Sequence, residues 1–544
     1  MTIILPILIL TPLIGGILLL MFAQRAEDSF RNFGVAAGGM TLLFSVMLAV
    51  WISGQQPAAD SVGSIVPSIE YKAEWLSIAP PYGDESGNRW YFVLGCDGIG
   101  NLMVLLTTIV TLAVLIFSTL TVKTKNINYA GWLLLAEAGL LSVFLAMDVV
   151  TFYIGFELTL IPLFVLIAGW GNSSALMAGR RFVLFTLAGS IPMIVAIIGL
   201  VAFYNNESGA TISIPELSVR AFDSAKSGLM AQQGWIFWMM VFGLGIKTAV
   251  LPLHSWLPTT YSASHPTTTA LMAGVVLKLG LFGFIRIVIP LLPGASVTFG
   301  PYVLGTLGVI AITYGALNAL AQTDLRLLLA YSSLSHVGFI TLGLFSLNQE
   351  GLGGAALQMF NHGITTAAMF LLIDSLIMRR GTHCLTTGSH GLGSVFPRLS
   401  LFFFFFVAAG AGVPGLNNFV GEVLTLSGMV LRHPVLAVVG TLGVVLGAWY
   451  AFRLLQKLFM GPYERSKVHG ESVAYDVGMR ETAVFSALAL ICIFIGVLPQ
   501  RVLDTIRPDA RRIAIVCFTA MKSLPETADI EKLSSVSLSD IELP

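Results

Sequence analysis

The stretch "GLGIKTAVLPLHSWLP", Gly243–Pro258, lies between two very apolar runs. "GWIFWMMVF" (234–242) precedes it and "TTTALMAGVVLKLGLFGFI" (267–285) follows it. Such runs are typical of transmembrane helices, yet the first continues through Lys247 and the second contains Lys278. Pro252 interrupts the first run, and a proline removes a backbone hydrogen bond. Carbonyl groups freed in this way can bind water or an ion where protein or water surrounds them. The stretch therefore predicts a broken membrane helix with a hydrated place for a charge.

Composition identifies the class of protein. The 544-residue chain is 56% hydrophobic and only 11% charged, with a mean hydropathy of +0.85, whereas soluble domains carry about 25% charged residues. The net charge of zero gives no indication of nucleic-acid binding. We predict an all-α polytopic membrane protein with about fourteen transmembrane segments of about 20 residues each, centred near Leu10, Leu42, Leu106, Leu140, Leu160, Ile194, Met240, Val276, Ile310, Phe339, Phe370, Leu416, Val444 and Ile491.

Motifs for bound cofactors are absent from the sequence. The four cysteines stand singly, without the spacing of iron–sulfur or covalent haem ligands; they are Cys96, Cys384, Cys492 and Cys517. Neither a P-loop nor a GxGxxG motif occurs, so we predict no nucleotide site. If the chain takes part in redox chemistry, we expect the cofactors in partner proteins.

Lysine and arginine in the short loops predict the orientation. They concentrate after the odd-numbered segments, at Arg25, Arg31, Lys123, Lys125, Arg180, Arg181, Arg326, Arg379, Arg380, Arg398, Lys457, Arg465, Lys467 and Arg480. The loops after even-numbered segments, including Ser53–Leu94 with its acidic residues near Asp84, carry few, Arg432 being an exception. The pattern favours an N-terminus on the outer side. The tail after Pro499 fits this less well, and an amphipathic helix on the membrane surface is one interpretation of it.

Ionisable residues inside the apolar runs are the candidate functional residues. A charge at the bilayer centre costs at least about 2.5–3.5 kcal/mol, so such residues normally face protein or water. The candidates are Glu137, Glu157, Lys247, His254, Lys278, His336, His362, Asp374 and Glu422. A structural hydrogen bond remains an alternative for Glu137 and for His254. Asp148 and Asp324, near segment ends, are expected to be helix caps or salt-bridge partners.

The set as a whole indicates proton or cation conduction. Glu157, Lys247, Lys278, His336, His362 and Glu422 are titratable groups on six different segments, more than packing requires. Buried carboxylates, lysines and imidazoles exchange protons near neutral pH. Glu157 and Lys247, if in contact, would each hold the other charged, and their separation would make both protons mobile.

Internal repetition supports this interpretation. Glu157 and His336, Lys247 and Glu422, and Lys278 and Arg453 are separated by nearly equal lengths of chain. The seventh and twelfth segments are both interrupted, the latter by "AAGAGVPGLNN" around Pro414. Interrupted helices in corresponding positions of two repeats are typical of an ion site at the interface of the repeats.

Five motifs give the chain a family resemblance. "GFELTLIPLF", "GIKTAVLPLHSWLP", "ASHPTTTALMAGVVLKLGLFG", "TDLRLLLAYSSLSHVGF" and "NHGITTAAMFLL" occur in this order. Over roughly residues 130–463 the sequence resembles the antiporter-like proton-channel family of respiratory complex I, which includes the Mrp-type sodium/proton antiporter subunits. The resemblance implies two inverted five-helix repeats, at 130–292 and 300–463, with broken helices 7 and 12. Three N-terminal helices with an extended outer loop (1–129) and a last helix with a polar tail (464–544) flank the repeats.

The resemblance also implies roles for the residues. Glu157 matches the acid of the fifth helix, Lys247 its partner on the seventh, and Lys278 the central lysine of the eighth. His336 and His362 match the connecting imidazoles; His254 and Glu137 are secondary candidates. At the position of Glu422 most relatives carry lysine, while one subunit type of complex I, a middle pump module, carries glutamate. The implied catalytic set for proton transfer is therefore Glu157, Lys247, Lys278, His336, His362 and Glu422.

The surroundings implied by the resemblance are those of a proton-translocating subunit of NADH-quinone oxidoreductase in a bacterial inner membrane. Its N-terminus would be periplasmic. FMN, iron–sulfur clusters and quinone would be bound by partner subunits, with no cofactor or metal in this chain. The expected partners are the neighbouring antiporter-like subunits L and N and the lipid bilayer. Alternatives are an Mrp-type antiporter subunit, the equivalent subunit of a ferredoxin- or hydrogenase-linked complex, and a cytochrome b-like protein with His336 and His362 as haem ligands.

Overall fold

Apolar helices make up most of the described chain. The structure is a computed structural model that describes residues 1–22, 27–55, 63–78, 88–122, 126–204, 211–227, 233–381, 383–385, 391–462 and 475–524. Part of the predicted orientation depends on residues outside these ranges, namely Arg25, Asp84, Lys123, Lys125, Arg465 and Lys467.

The N-terminal region contains three long helices and a hairpin. The helices are α1 (Ile4–Phe22), α2 (Glu27–Ser53) and α3 (Gly98–Thr121), and the strands are β1 (Ile69–Ile78) and β2 (Asn88–Cys96). The strands pair antiparallel, with Tyr71 opposite Leu94. The sequence analysis did not predict this hairpin inside the loop from Ser53 to Leu94, although alternating apolar and polar residues with aromatic side chains favour strands.

The middle of the chain contains the first broken helix. Its helices are α4 (Asn126–Leu145), α5 (Val149–Leu158), α6 (Leu160–Trp170), α7 (Ala175–Tyr204), α8 (Ile214–Ser227), α9 (Gln233–Thr248), α10 (Trp256–Ala263), α11 (Pro266–Leu271), α12 (Leu277–Gly283) and α13 (Ile289–Leu291). π-helical turns at Met272–Val276 and Phe284–Val288 join α11, α12 and α13 into one run. The predicted break of the seventh segment is confirmed, because α9 ends at Thr248 and α10 begins at Trp256.

The following part contains the second break. Its helices are α14 (Pro293–Phe299), α15 (Gly305–Ala321), α16 (Leu325–Leu344), α17 (Gln349–Arg380), α18 (Leu392–Val395), α19 (Pro397–Gly410), α20 (Asn417–Arg432) and α21 (Pro434–Phe459), with a π-helical turn at Gly300–Leu304. The twelfth predicted segment is divided between α19 and α20, so its break is also confirmed. The chain continues with α22 (Met479–Val497) and α23 (Pro499–Ser523).

Twelve helices or continuous helical runs in the described ranges are long and apolar enough to cross a membrane. The other two predicted segments are the broken ones, whose halves are each shorter than a full crossing. The count of fourteen crossings and the two repeats remain predictions. The central elements are the runs Pro266–Leu291 and Gln349–Arg380, whose apolar windows are completely buried. Lys278 and His362 lie on these two runs, so the candidate site is at the centre of the protein.

Side-chain caps fix several helix starts. Asp148 and Asp324 are N-caps of α5 and α16 and accept hydrogen bonds from the backbone N–H groups of Thr151 and Arg326. Such caps satisfy backbone donors at a helix start. The predicted capping role of both aspartates is confirmed.

Within the tail, residues Pro499–Ser523 form the helix α23, which packs against other elements of the protein. It contacts α3, α8, α14 and α17, and its residues Ile506, Ala510 and Cys517 are buried. Arg432 at the end of α20 donates to the sulfur of Met521 on α23, and Asn348 at the start of α17 donates to the carbonyl oxygen of Gly428 on α20. The helix α23 therefore lies at the face where α17 begins.

Candidate functional site

The break in the seventh segment places Lys247 in the protein interior. Lys247 is in the last turn of α9 and is fully buried. The peptide bond between Leu251 and Pro252 is cis. Beyond the break, the indole Nε1 of Trp256 donates to the carbonyl oxygen of Ile246 at 2.8 Å. A side chain from beyond the break thus provides the hydrogen bond that one carbonyl group at the end of α9 lacks. As a result, Lys247 lies at a helix terminus and not within a continuous helix.

Lys247 is bound by the junction of α5 and α6. Its Nζ atom donates to the carbonyl oxygen of Phe156 at 2.5 Å and to Oγ1 of Thr159 at 2.8 Å. The same Nζ lies 3.7 Å from the centre of the Phe156 ring. Two oxygen acceptors and an aromatic face stabilise an ammonium group in a buried site.

Glu157 lies beside this lysine but is bonded to another helix. Its Oε1 atom accepts a hydrogen bond of 2.5 Å from Ser190 on α7, and its side chain is half-buried. Of the side chains that the structure describes, those of Glu157 and Lys247 do not form a direct ion pair with each other. The structure therefore corresponds to the state in which the two side chains are separated. Lys247 donates a hydrogen bond to Thr159 instead, and Glu157 accepts one from Ser190.

Lys278, His362, His336 and Glu422 form a continuous line. Nζ of Lys278 is 2.9 Å from Nδ1 of His362, and the rings of His362 and His336 are 5.1 Å apart at their centres, tilted by 35°. Nδ1 of His336 is 3.3 Å from Oε1 of Glu422, although its angle is not that of a hydrogen bond. All four side chains are buried. The line crosses α12, α17, α16 and α20, so it joins the middle of the chain to the second broken helix.

A π-helical turn positions Lys278 at one end of this line, and a closely packed glycine, Gly412, positions Glu422 at the other end. Nζ of Lys278 also donates to the carbonyl oxygen of Ala273, within the turn Met272–Val276, at 2.5 Å. Single π-helical turns are frequent at functional sites because they release backbone groups. At the other end, Gly412 in the break between α19 and α20 has φ +69°, and Oε2 of Glu422 lies where a side chain at Gly412 would start.

A cavity of about 40 Å³ borders the line. It is lined by His336, His362, Ser332, Asn418 and Tyr450 together with apolar side chains. A cavity of ~10–15 Å³ can hold a water molecule where polar partners are present. Nε2 of His362 has no protein partner in the described part of the chain. Water in this cavity can therefore bridge the histidines, which a proton relay requires across gaps longer than a direct hydrogen bond.

The remaining predicted site residues lie outside this line. Glu137 is fully buried on α4, a helix that packs against both α5 and α12. Its carboxylate oxygens have no hydrogen-bond partner among the residues that the structure describes. His254 lies in the break after α9, with its ring centre 5.3 Å from that of Tyr314. Asp374 is buried on α17, beyond His362 toward the end of that helix. No direct side-chain bond joins Lys247 to Lys278 in the described structure, although Thr248 packs against Gly280 between their helices.

Hydroxyl residues of the site were not among the sequence predictions. Thr159 and Ser332 stand in the quoted motifs and Ser190 lies outside them, but serine and threonine are frequent in these helices and usually bond to the backbone of the preceding turn. Thr186 is an example, donating to the carbonyl oxygen of Phe182. No sequence signal distinguishes a hydroxyl that faces a lysine from one that faces its own helix.

Comparisons with known proteins agree on one family. The sequence profile of the family described as "NADH:quinone oxidoreductase/Mrp antiporter, TM" matches residues 146–447. The chain is 34% identical to NADH-quinone oxidoreductase subunit M of Pseudomonas aeruginosa, covering 92% of this chain and 95% of the relative. It is also 34% identical to NADH-ubiquinone oxidoreductase chain 4 of Arabidopsis thaliana, covering 91% and 94%.

Two solved structures of similar fold come from different complexes. A chain of respiratory complex I from Thermus thermophilus has a TM-score of 0.79 and 29% identity, covering 94% of this chain and 99% of that one. A chain of the Mrp complex from Dietzia has a TM-score of 0.76 at 20% identity, covering 96% and 99%. The second likeness concerns the fold alone.

Proposed function

Because this chain belongs to the antiporter-like membrane-subunit family of NADH:quinone oxidoreductases, within the group of subunit M and chain 4, we propose that it moves protons across the membrane as a subunit of complex I. The protons would pass along Lys247, Lys278, His362, His336 and Glu422. Quinone reduction in other subunits would drive them, and this chain would carry out no redox chemistry itself.

The observation that carries the proposal is the buried line from Lys278 to Glu422. Nζ of Lys278 lies 2.9 Å from Nδ1 of His362, and Nδ1 of His336 lies 3.3 Å from Oε1 of Glu422. Each group along the line can therefore accept a proton from one neighbour and donate one to the next. Imidazole is the side chain best suited to both roles near neutral pH. The adjoining cavity supplies room for water at the step between the two rings.

The electrostatic interaction between Glu157 and Lys247 can supply the energy that moves a proton into the line. Moving one proton against 100 mV costs about 2.3 kcal/mol. A glutamate and a lysine at about 4 Å interact by about 4 kcal/mol at an effective dielectric constant of 20. Closing or opening the gap between Glu157 and Lys247 therefore involves enough energy to drive a proton from Lys247 toward Lys278. In this structural change, Glu157 would give up its hydrogen bond from Ser190 and Lys247 its hydrogen bond to Thr159, and the two side chains would form a direct ion pair.

The partners and the location are also part of the proposal, and membership of the family supports them. We propose that subunits L and N flank the chain, and that other subunits of the complex bind FMN, iron–sulfur clusters and quinone. The proposed membrane is a bacterial inner membrane with the N-terminus on the periplasmic side. The support is the accumulation of basic residues at the face where α17 and α21 end, including Arg379 and Lys457.

The proposal is tested at Lys278. In the intact complex, Lys278→Arg keeps the charge but cannot release a proton, because arginine stays protonated in proteins. We expect proton pumping and quinone-dependent NADH oxidation to be severely reduced in membranes matched for complex content. Lys226→Arg, at an exposed lysine of α8, is the control and should have normal activity. Normal pumping by Lys278→Arg would show that this lysine is structural and would refute the proposed line.

A further inference from the structure

Tyr450 separates the cavity beside the histidines from a second, smaller cavity. The second cavity has a volume of about 10 Å³, about the size of one water molecule. Both cavities are lined by Leu328, Tyr450 and Leu454. The tyrosine ring on α21 is therefore part of a shared wall between two spaces that can each hold water.

The hydroxyl of Tyr450 is bonded on the side of the larger cavity. It lies 2.7 Å from Oγ of Ser332 on α16, and both residues line the space that contains His336 and His362. Tyr450 is buried, with 6% of its surface exposed. Each hydroxyl can donate one hydrogen bond and accept others at the same time. A pair of this kind can pass a proton without forming a buried ion, since the oxygen that accepts one proton releases another.

The smaller cavity leads toward the face of the protein at which α15 and α21 end. Gln322, Arg453 and Lys457 line it. Arg453 and Lys457 also line an open groove of about 790 Å³ at that surface. We call this face the basic face, since Arg379 and Lys457 lie in the last turns of α17 and α21 there. Lys457, Arg453 and Gln322 thus provide polar groups between the surface groove and the wall that contains Tyr450.

We propose that Tyr450 and Ser332 form a hydroxyl step that conducts protons between the basic face and the His336–His362 end of the line. A proton reaching Tyr450 from the smaller cavity is accepted by its oxygen. The phenolic proton passes either directly to water in the larger cavity or to Ser332, which then releases its own hydroxyl proton to that water. One proton enters, one leaves, and both hydroxyls are neutral afterwards. This inference rests on the proposed function and gives the second half of the chain its own connection to the surface, separate from Lys247.

The test uses Tyr450→Phe in the intact complex, because phenylalanine keeps the ring and removes only the hydroxyl. We expect turnover to fall roughly tenfold, since a positioned proton-transfer group contributes at least this much. We also expect a larger solvent deuterium isotope effect and an earlier loss of rate as the pH on the basic face rises. Tyr302→Phe is the control at an exposed tyrosine and should change none of these.

Ser332→Ala is the second variant, and it decides the test if Tyr450→Phe lowers the content of assembled complex. It should reproduce the lower turnover and the larger isotope effect, and the double variant should be no worse than the poorer single one. Wild-type turnover and isotope effect in Ser332→Ala, and in Tyr450→Phe where it assembles, would overturn the hydroxyl step. If Lys278→Arg still abolishes pumping in the same membranes, the proposed function stands without that step. If Lys278→Arg pumps normally, the proposed function itself fails.

Discussion

At the scale of single residues, each buried lysine of the site has oxygen or nitrogen partners but no direct carboxylate partner among the residues that the structure describes. Lys247 donates to Phe156 and Thr159, and Lys278 donates to Ala273 and His362. A direct ion pair would hold a proton firmly, whereas neutral acceptors hold it less strongly. The residues that hold these lysines are therefore as important for proton transfer as the lysines themselves.

Thr159 provides a test of this idea. Thr159→Val keeps the shape of the side chain and removes the acceptor at 2.8 Å from Nζ of Lys247. A hydrogen bond to a charged group is worth ~1.5–3 kcal/mol, so turnover should fall about tenfold or more. Thr159→Ser should retain most of the activity, because its hydroxyl can occupy the same place. Equal turnover in the valine and serine variants, measured as NADH oxidation in membranes of equal complex content, would contradict a role for the acceptor.

Glu157 provides a second test at this scale. Glu157→Gln keeps a hydrogen-bond acceptor for Ser190 and removes the negative charge, so the complex should assemble normally. Pumping should be largely lost, because a neutral amide cannot exert the ~4 kcal/mol attraction on Lys247 at about 4 Å. Proton uptake by membrane vesicles is the measurement, with Glu350→Gln at an exposed glutamate as the control. Wild-type pumping in Glu157→Gln would rule out the charge pair as the driving element.

The charged residues of the site could be found from the sequence, whereas their partners could not. A lysine or glutamate inside an apolar run stands out because its burial is costly, and Lys278, His336, His362 and Glu422 indeed lie in one line. Thr159 and Tyr450 do not stand out, since hydroxyl and aromatic side chains are common in membrane helices. The separation of Glu157 from Lys247 depends on how α5, α7 and α9 pack, which no local pattern specifies.

At the scale of elements, the two breaks and the π-helical turns determine where the charged groups lie. Pro252 and Pro414 made the breaks predictable, because proline cannot continue a helix without losing a hydrogen bond. The π-helical turn before Lys278 was not predictable, since "MAGVV" has no residue that excludes an ordinary α-helix. Its geometry depends on packing within the completely buried run Pro266–Leu291.

Gly412 tests the second break. Its φ of +69° costs a non-glycine residue about 1 kcal/mol or more, and a Cβ atom there would lie 2.6 Å from Oε2 of Glu422. Gly412→Ala should therefore displace Glu422 and reduce turnover, with a modest loss of stability. Gly381→Ala is a matched control, because Gly381 has the same φ of +69° and open space around it. Both variants should lose similar stability in thermal inactivation, but only Gly412→Ala should lose turnover. Equal turnover in the two variants would show that contact with Gly412 does not position Glu422.

At the scale of the whole molecule, the apolar segments predicted the membrane fold but not the elements on its surface. The hairpin β1–β2 and the position of α23 depend on long-range contacts. At the start of α3, Arg286 forms two hydrogen bonds with Asp97, of 2.5 Å and 2.7 Å. Asp509 on α23 accepts a hydrogen bond from the backbone N–H of Ile99 beside them. This cluster attaches the tail to the first half of the chain.

The two aspartates of this cluster should respond differently to mutation. Burial opposes the ionisation of Asp97, but the charge and hydrogen bonds of Arg286 outweigh it and lower the pKa of Asp97. Burial, and then the negative charge of Asp97, raise the pKa of Asp509 well above its usual range. Asp97→Asn leaves Arg286 unpaired and should destabilise the protein by about 3–5 kcal/mol. Asp509→Asn keeps an oxygen that can accept the hydrogen bond from Ile99 and loses the ion pair with Arg512, so it should cost less than Asp97→Asn. The content and thermal stability of the purified complex are the measurements, and equal losses in the two variants would contradict this assignment.

The most direct test of the central claim, that protons pass along the line to Glu422, is the rate of proton pumping after mutation of that residue, measured beside quinone-dependent NADH oxidation. We predict that Glu422→Gln and Glu422→Ala both reduce turnover and pumping with little loss of assembled complex. In the native protein the carboxylate of Glu422 lies 3.3 Å from Nδ1 of His336. Glu422→Asp should retain part of the function, because it keeps a carboxylate on the same side of the helix but shortens its reach by one methylene. Glu350→Gln is the control. Full pumping by Glu422→Ala in complex-matched membranes would contradict the account and reduce Glu422 to a local structural acid.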